Sequence, residues 1–298
     1  MAIYLLTGIS GQLGGELKEI LSPLGEVVGV GREKMDLTQP DRIRSIISEV
    51  KPDFIVNCAA YTAVDKAETE TEEAKLANAI APKIIALEAK RIGAFLLHVS
   101  TDYVFDGTKN TPYIEEDPTN PINSYGKTKL AGEIEIERTG ANCIILRTAW
   151  VYGTCGKGNF VKTMLRLGSQ REELRVVADQ IGSPTWTKDI SDAIASLLSL
   201  VSQGKIDKTG TNIYHFSNSG VASWYDFAVA IFEEAKDLGF PLKISTVVPI
   251  TTPEYPTPAQ RPPYSVLSTQ KISEILGKPP HWRKSLRQML KQYSCEQL

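Results

Sequence analysis

Five short apolar runs, separated by amphipathic stretches, constrain the fold of this chain more than any other feature. They are "IYLLT" (3–7), "EVVGV" (26–30), "DFIVN" (53–57), "AFLLHVS" (94–100) and "CIILRT" (143–148). Each has the length and branching of a buried strand. Between them lie helical patterns such as "DRIRSIISEV" (41–50), which sets Ile43, Ile46, Ile47 and Val50 on one face. Strands alternating with helices imply crossover units, so the expected class is α/β, a doubly wound parallel sheet with helices on both faces. After residue 150 the regularity fades. Helical patterns recur at 187–201 and 223–238, and a proline-rich stretch, "TTPEYPTPAQRPPY" (251–264), follows. That stretch reads either as a disordered linker or as an ordered, extended loop.

Composition narrows the function classes. The 298 residues carry a formal charge of -2, so no global field draws the chain to nucleic acid or to an anionic membrane. No apolar run approaches the ~20 residues that span a bilayer, and "MAIYLLTGISG" reads as a strand entering a glycine loop rather than a signal peptide. Cys58, Cys143, Cys155 and Cys295 form no C-x-x-C, and His98, His215 and His281 are scattered. Neither pattern suggests zinc; a reducing, cytoplasmic compartment is expected.

"TGISGQLG" (7–14) follows the first strand and opens a helix. Gly8, Gly11 and Gly14 give a tight turn, close approach of backbone to a pyrophosphate, and close helix packing. A glycine triplet alone is weak evidence; its place after the first strand of a parallel series points to a Rossmann-like dinucleotide site. The second strand ends in "VVGVGREKMDL", where Gly31 stands at the position an NAD-binding acid would take and Arg32 follows. A guanidinium there suits a 2'-phosphate, so NADPH is favoured with NADH left open, and Glu33 is the counter-evidence. After the third strand, the small residues Ala59 and Ala60 of "NCAAYTAVDKAE" leave room for the cofactor.

"SYGKTKL" (124–130) sets Tyr125 and Lys129 four residues apart, on one side of a helix. A nearby ammonium is expected to pull the phenol below its usual ~10 and make it a usable general acid. "HVSTDYVFDG" (98–107) ends the fourth strand and offers the hydroxyls of Ser100 and Thr101 to a substrate oxygen.

A glycine loop, a strand-end hydroxyl and a Y-x-x-x-K pair, in that order, resemble the extended branch of the short-chain dehydrogenase/reductase superfamily. "AAYTAVDKAE", "STDYVFDG", "YGKTKLAGE", "RTAWVYG", "NFVKTMLRL", "DQIGSPT" and "RPPYSVLST" together resemble the dTDP-4-dehydrorhamnose reductase family. That resemblance implies NADPH-dependent reduction of the 4-keto group of a dTDP-sugar, dTDP-4-dehydro-L-rhamnose, in polysaccharide biosynthesis. It makes Tyr125 the acid, Lys129 the holder of the nicotinamide ribose and Thr101 the hydrogen-bond donor to the carbonyl. It extends the cofactor set to Ser10, Gln12, Leu13, Asp36, Leu37 and Tyr61, with Tyr125 and Lys129 contributing. Tyr103, Trp150, Asn159, Phe160 and Arg261 fall at substrate positions, Arg261 as a diphosphate clamp.

The resemblance also implies a smaller C-terminal α/β substrate domain. Residues 1–150 and about 174–217 are assigned to cofactor, and about 151–173 and 218–298 to the nucleotide-sugar. Some relatives are magnesium-dependent dimers with acids at the subunit contact; those acids do not map onto this chain, so no metal site is expected and a homodimer is left open. Two other readings stand beside the reductase. One is a reductase or epimerase of another nucleotide-sugar, and the other is a non-catalytic relative resembling the regulatory subunit of methionine adenosyltransferase.

Overall fold

The computed structural model describes residues 1–296. The five apolar runs form β1 (Ala2–Thr7), β2 (Gly25–Val30), β3 (Phe54–Asn57), β4 (Phe95–Thr101) and β5 (Cys143–Thr148). A sixth strand, β10 (Thr211–His215), completes a sheet ordered β10-β5-β4-β3-β1-β2, parallel at every pairing. The chain runs outward from β1 to β2 and then returns to β3 on the other side of β1. That reversal is the topological switch point at which such sheets bind ligands, beyond the carboxyl ends of their strands. Register aligns those ends: Thr7 lies opposite Asn57, Asn57 opposite His98, and Thr101 opposite Thr148.

The strands read as unbroken apolar runs because both faces are covered. On one face α1 (Gln12–Leu21) and α7 (Thr187–Ser202) pack Leu17, Leu21, Ile194 and Leu197 against Leu6, Val56, Leu97 and Leu146. On the other, α2 (Pro40–Val50), α4 (Ala81–Ile92) and α5 (Ser124–Thr139) set Ile43, Ile47, Ile85 and Ile136 against Leu5, Ile55, Leu96 and Ile145. Each such side chain, fully buried, contributes about 1.5–3 kcal/mol from area alone. Between α3 (Thr71–Lys75) and α4 the helix loosens into a π turn, Leu76–Ile80. Its Asn78 accepts from Tyr61 N at 2.8 Å and donates to Tyr61 O at 3.0 Å, clamping the loop after β3 beside α5. Wider helical turns of this kind recur at functional sites.

The remaining elements gather around a second core of Val161, Leu165, Phe227, Ile231, Leu286 and Leu290. They are α6 (Phe160–Gly168), α8 (Trp224–Asp237) and α10 (Trp282–Glu296), with three two-stranded ladders. In these, β6 (Val151–Tyr152) pairs β9 (Thr185–Trp186), β7 (Glu173–Val177) pairs β12 (Thr246–Ile250), and β8 (Ile181–Gly182) pairs β11 (Ala222–Ser223). The expected division of the chain differs here in two places. Residues 173–186 pair with elements of the second core rather than with the large sheet, and the chain rejoins the first body only at α7. Ile272 of α9 (Gln270–Leu276) is likewise buried in the first core. Both differences arise because elements of two to seven residues take their place from the partner they find, not from a period of their own.

The proline-rich stretch is an ordered strap between the two bodies. Ile181 N donates to Pro263 O at 2.8 Å, and Asn123 Nδ2 donates to Gln260 O at 2.8 Å. Among the described residues no helix is long and apolar enough to cross a membrane.

Candidate active site

A cleft of about 840 Å³ opens over the carboxyl ends of β1, β3 and β4, between the two bodies. The glycine loop forms its floor. Gly8 takes φ +73°, and a Cβ on it would come within 3.0 Å of Ala59 N, so the loop lies directly on the chain leaving β3. A Cβ on Gly14 would sit 2.2 Å from Gly8 O, so α1 begins closer to the loop than any other residue allows. Gly11 caps α1 with no side chain over its first amides, and a helix N-terminus left open in this way favours an anionic ligand. Gly8, Ser10, Gly11, Gln12, Leu13, Gly14, Arg32, Asp36, Leu37, Ala59, Ala60 and Tyr61 all line this one cleft. A cradle that a single Cβ would fill, at a switch point, fits a dinucleotide.

Arg32 stands at the end of the cleft with its side chain 72% exposed. It pairs with Glu73 at 3.0 Å and with Asp36 at 3.5 Å. Asp36 in turn accepts from Thr38 N at 2.9 Å, and this bond and the Thr38 hydroxyl hold its carboxyl below the usual range. Glu33 folds back over Gly31, whose added Cβ would lie 2.4 Å from the Glu33 carboxylate, and does not line the cleft.

Helix α5 carries the reactive pair. Asn123 caps it by accepting from Gly126 N at 2.8 Å, so the helix starts at Ser124 and Tyr125 lies in its first turn. Thr101, Tyr125 and Lys129 meet in the cleft. Thr101 donates to Asp102 Oδ1 at 3.0 Å and accepts from Tyr103 N at 3.2 Å. Ser100 faces the other way, as alternation along a strand demands: its hydroxyl donates to Glu133 and is not offered to a substrate.

The expected effect of Lys129 on Tyr125 is not what the geometry delivers. Burial pushes the phenol up to about 12, the Thr101 hydroxyl opposing and Asp102 adding to the rise. Lys129 is 2% exposed, and its ammonium donates to Val99 O at 2.7 Å and lies 3.3 Å from His98 Nε2. Two of its three donors go to those acceptors on β4 rather than to the phenol. Its own titration is pushed down to about 8 by burial, against the upward pull of Glu133 and Cys58. Asp102, 2% exposed, has an Oδ2 with no hydrogen-bond partner. Burial drives that carboxyl up to about 6, with the Ser265 and Thr101 hydroxyls working the other way.

The substrate candidates divide. Tyr103 lines the cleft and meets Tyr125 edge-on, centroids 5.8 Å apart. Trp150, at φ +45°, stacks on Trp224 at 3.5 Å, and both rings line the cleft mouth. Asn159, Phe160 and Arg261 do not line it. Asn159 caps α6 and donates to Gln12 Oε1 at 2.8 Å, tying the second body to the glycine loop. Phe160 packs on Trp224 at 4.6 Å. Arg261 forms a two-pronged pair with Asp65, at 2.6 and 2.9 Å. Sequence reasoning passed over Trp224, Asp102 and the Gly156–Gly158 turn, all of which line the cleft. Asp102 adjoins the strand-end hydroxyl, the one signal that pointed to it. Trp224 reads as an ordinary apolar residue at a helix start.

The fold and this constellation define a dinucleotide-dependent oxidoreductase of the short-chain dehydrogenase/reductase type. Residues 1–295 match the model of the RmlD substrate binding domain family, and the chain belongs to that family. It is 45% identical, over 94% of its length and 95% of the relative's, to dTDP-4-dehydrorhamnose reductase of Burkholderia thailandensis. It is 44% identical, over 99% of both chains, to a spore coat polysaccharide biosynthesis protein of Bacillus subtilis. The crystal structure of dTDP-4-dehydrorhamnose reductase from Bacillus anthracis in complex with NADP superposes with a TM-score of 0.89, at 37% identity, over 98% of this chain and 99% of that one.

Proposed function

We propose that this chain catalyses the NADPH-dependent reduction of the 4-keto group of dTDP-4-dehydro-L-rhamnose, yielding dTDP-L-rhamnose. The observation that carries the reading is the convergence of Thr101, Tyr125 and Lys129 on the cleft floored by the glycine loop, in a chain of this family. Bound on that loop, the nicotinamide dinucleotide supplies the hydride. The protein supplies position and charge. Gly8, Gly11 and Gly14 admit the pyrophosphate, and Arg32 is the cation for a 2'-phosphate.

Tyr125 holds its proton throughout the physiological range, since its phenol lies at about 12. Hydride addition creates an alkoxide far more basic than a phenolate, so a phenol kept loaded by burial still delivers its proton in the transition state. Thr101 steadies the same oxygen once its hydroxyl turns from Asp102. Lys129 adds a fixed positive charge to a cleft with little water, where charge counts for more than in solvent. Trp150 and Trp224 form an aromatic wall for the sugar-nucleotide on the second body. The wide spacing of the four cysteines along the sequence, with no C-x-x-C, supports a reducing, cytoplasmic setting.

The test is nicotinamide oxidation with dTDP-4-dehydro-L-rhamnose generated in place, NADPH and NADH side by side, and the product identified. Oxidation that depends on this sugar, with dTDP-L-rhamnose formed, is the expected result. Oxidation only with a different nucleotide-sugar overturns the substrate assignment.

A further inference from the structure

Behind the reactive pair, a buried polar chain runs back from Lys129 through three residues that the catalytic scheme does not use. Thr7 and Asn57 end β1 and β3, His98 lies beside Asn57 in the middle of β4, and Lys129 stands in the second turn of α5; their exposures are 1%, 1%, 0% and 2%. Ala59 N donates to Thr7 Oγ1 at 3.2 Å, and Thr7 Oγ1 lies 2.7 Å from the Asn57 amide oxygen. The amide nitrogen is 2.9 Å from His98 Nδ1, and His98 Nε2 is 3.3 Å from Lys129 Nζ. The chain therefore runs from the residue beneath the glycine loop to the catalytic lysine without a break.

A proton count fixes what it can do. An ammonium is donor only, so a charged Lys129 needs an acceptor at Nε2, which places the imidazole proton on Nδ1. Nδ1–H then needs the Asn57 oxygen, so the amide is turned end for end from its orientation in the structure, where Thr7 Oγ1 donates to Oδ1 and Nδ2 faces Nδ1; its nitrogen then donates to Thr7 Oγ1, and the Thr7 proton leaves this chain. The opposite orientation puts Nε2–H against Nζ and suits only a neutral amine. The amide ends occupy equivalent positions, so the hydrogen-bond network decides between them. The same device occurs again in this protein: His215 Nδ1 faces Tyr113 O at 3.1 Å while its Nε2 meets Arg147 Nη1 at 3.4 Å. There the carbonyl can only accept, so Nδ1 carries the proton and Nε2 takes a cation's.

We propose that His98, anchored by Asn57, is a positioning residue for the Lys129 ammonium, accepting at Nε2 as the neutral Nδ1–H tautomer and holding the lysine charged and fixed in the cleft wall. The neutral state of His98 follows from burial first and from Lys129 second, both of which depress its titration. The other groups facing Lys129 are Glu133 and Tyr125 on its own helix and the Cys58 thiol after β3, of which Glu133 and Cys58 favour its charge. With Val99 O, His98 completes two of three donor directions; the third is left for a ligand. The catalytic meaning of this rests on the reductase reading, whereas the tautomer does not.

Two measurements test it. Long-range proton–nitrogen correlation on protein labelled with 15N-histidine, near pH 7, is expected to show His98 neutral with its proton on Nδ1; the signal is assigned by its loss in His98→Gln. A proton on Nε2, or an imidazolium, overturns the proposal even if no sugar is reduced. In the second, pH profiles of kcat are compared. His98→Leu strips an acceptor from a buried ammonium, so the alkaline limb moves to lower pH and kcat falls about tenfold at pH 8, a change on the scale of one charged hydrogen bond. His98→Gln, whose amide oxygen reaches as Nε2 does, restores the limb, and Asn57→Leu moves it the same way as His98→Leu but less. An unmoved limb in both leucine variants, with NADPH binding intact, assigns His98 to packing and overturns the proposal.

Discussion

Replacing Glu133 by glutamine tests how α5 is held in place. Glu133 lies one turn beyond Lys129, with its side chain 4% exposed, and Arg147 of β5 is 3% exposed. Arg147 Nε reaches both carboxylate oxygens at 3.1 Å and Nη2 reaches Oε2 at 2.7 Å, while Ser100 donates to the same carboxylate. Removing one charge strands a guanidinium in the interior, a loss of ~3–5 kcal/mol. Glutamine keeps one acceptor, which places Glu133→Gln near ~3 kcal/mol, a large share of the ~5–15 kcal/mol that holds a typical protein together. Equilibrium urea unfolding measures this as a lower midpoint at unchanged slope. Replacing the pair together, Glu133→Leu with Arg147→Met, is expected to recover most of the loss, because neither charge is then left alone. The single change also removes an upward influence on Lys129, so the ammonium is lost at a lower pH and the alkaline limb of activity follows. A loss under ~1 kcal/mol for Glu133→Gln, or a double variant no more stable than the single one, would refute the argument that the buried pair is what fixes α5 against the sheet.

Tyr125→Phe is expected to leave NADPH binding within a few-fold of wild type while turnover falls by ~10²–10⁴, the usual contribution of a positioned acid; single-turnover kinetics separate the two. Arg32→Ala is expected to weaken NADPH ~10-fold or more and NADH hardly at all, as loss of a charge-assisted phosphate bond requires; fluorescence titration with both cofactors decides it, and equal losses would sink the assignment. Asp102, whose folded carboxyl is raised from about 4 to about 6, contributes stability that is fully present below its unfolded value and lost as pH rises through its folded one. Asp102→Asn should therefore gain on wild type by about 2–3 kcal/mol between pH 3.5 and 7, read from chemical denaturation at the two pH values; a gap independent of pH would show that the carboxyl is not raised.

The central sheet was legible because its first five strands are apolar runs long enough to show, and helices that cover the sheet follow the first four. The sixth, β10, escaped notice: "TNIYH" is half polar and takes its place by pairing with β5. The second body was hardest to read, since β6, β8 and β9 are two residues each and have no period. In the site, motif spacing brought Thr101, Tyr125 and Lys129 to one place but said nothing of where the ammonium points. Its direction is set by Val99 O and His98, residues on another element. Arg261 shows the same limit: nothing in "AQRPPYS" reveals that Asp65, far away in sequence, takes both prongs of its guanidinium.

The most direct test of the account follows the hydrogen itself. NADPH carrying deuterium at both C4 positions of the nicotinamide, incubated with the protein and dTDP-4-dehydro-L-rhamnose, should yield dTDP-L-rhamnose with one deuterium, at C4 of the hexose, and Tyr125→Phe should slow its appearance without redirecting it. Deuterium at another carbon, or none in the sugar while NADPH is consumed, would contradict hydride delivery to a 4-keto group in this cleft.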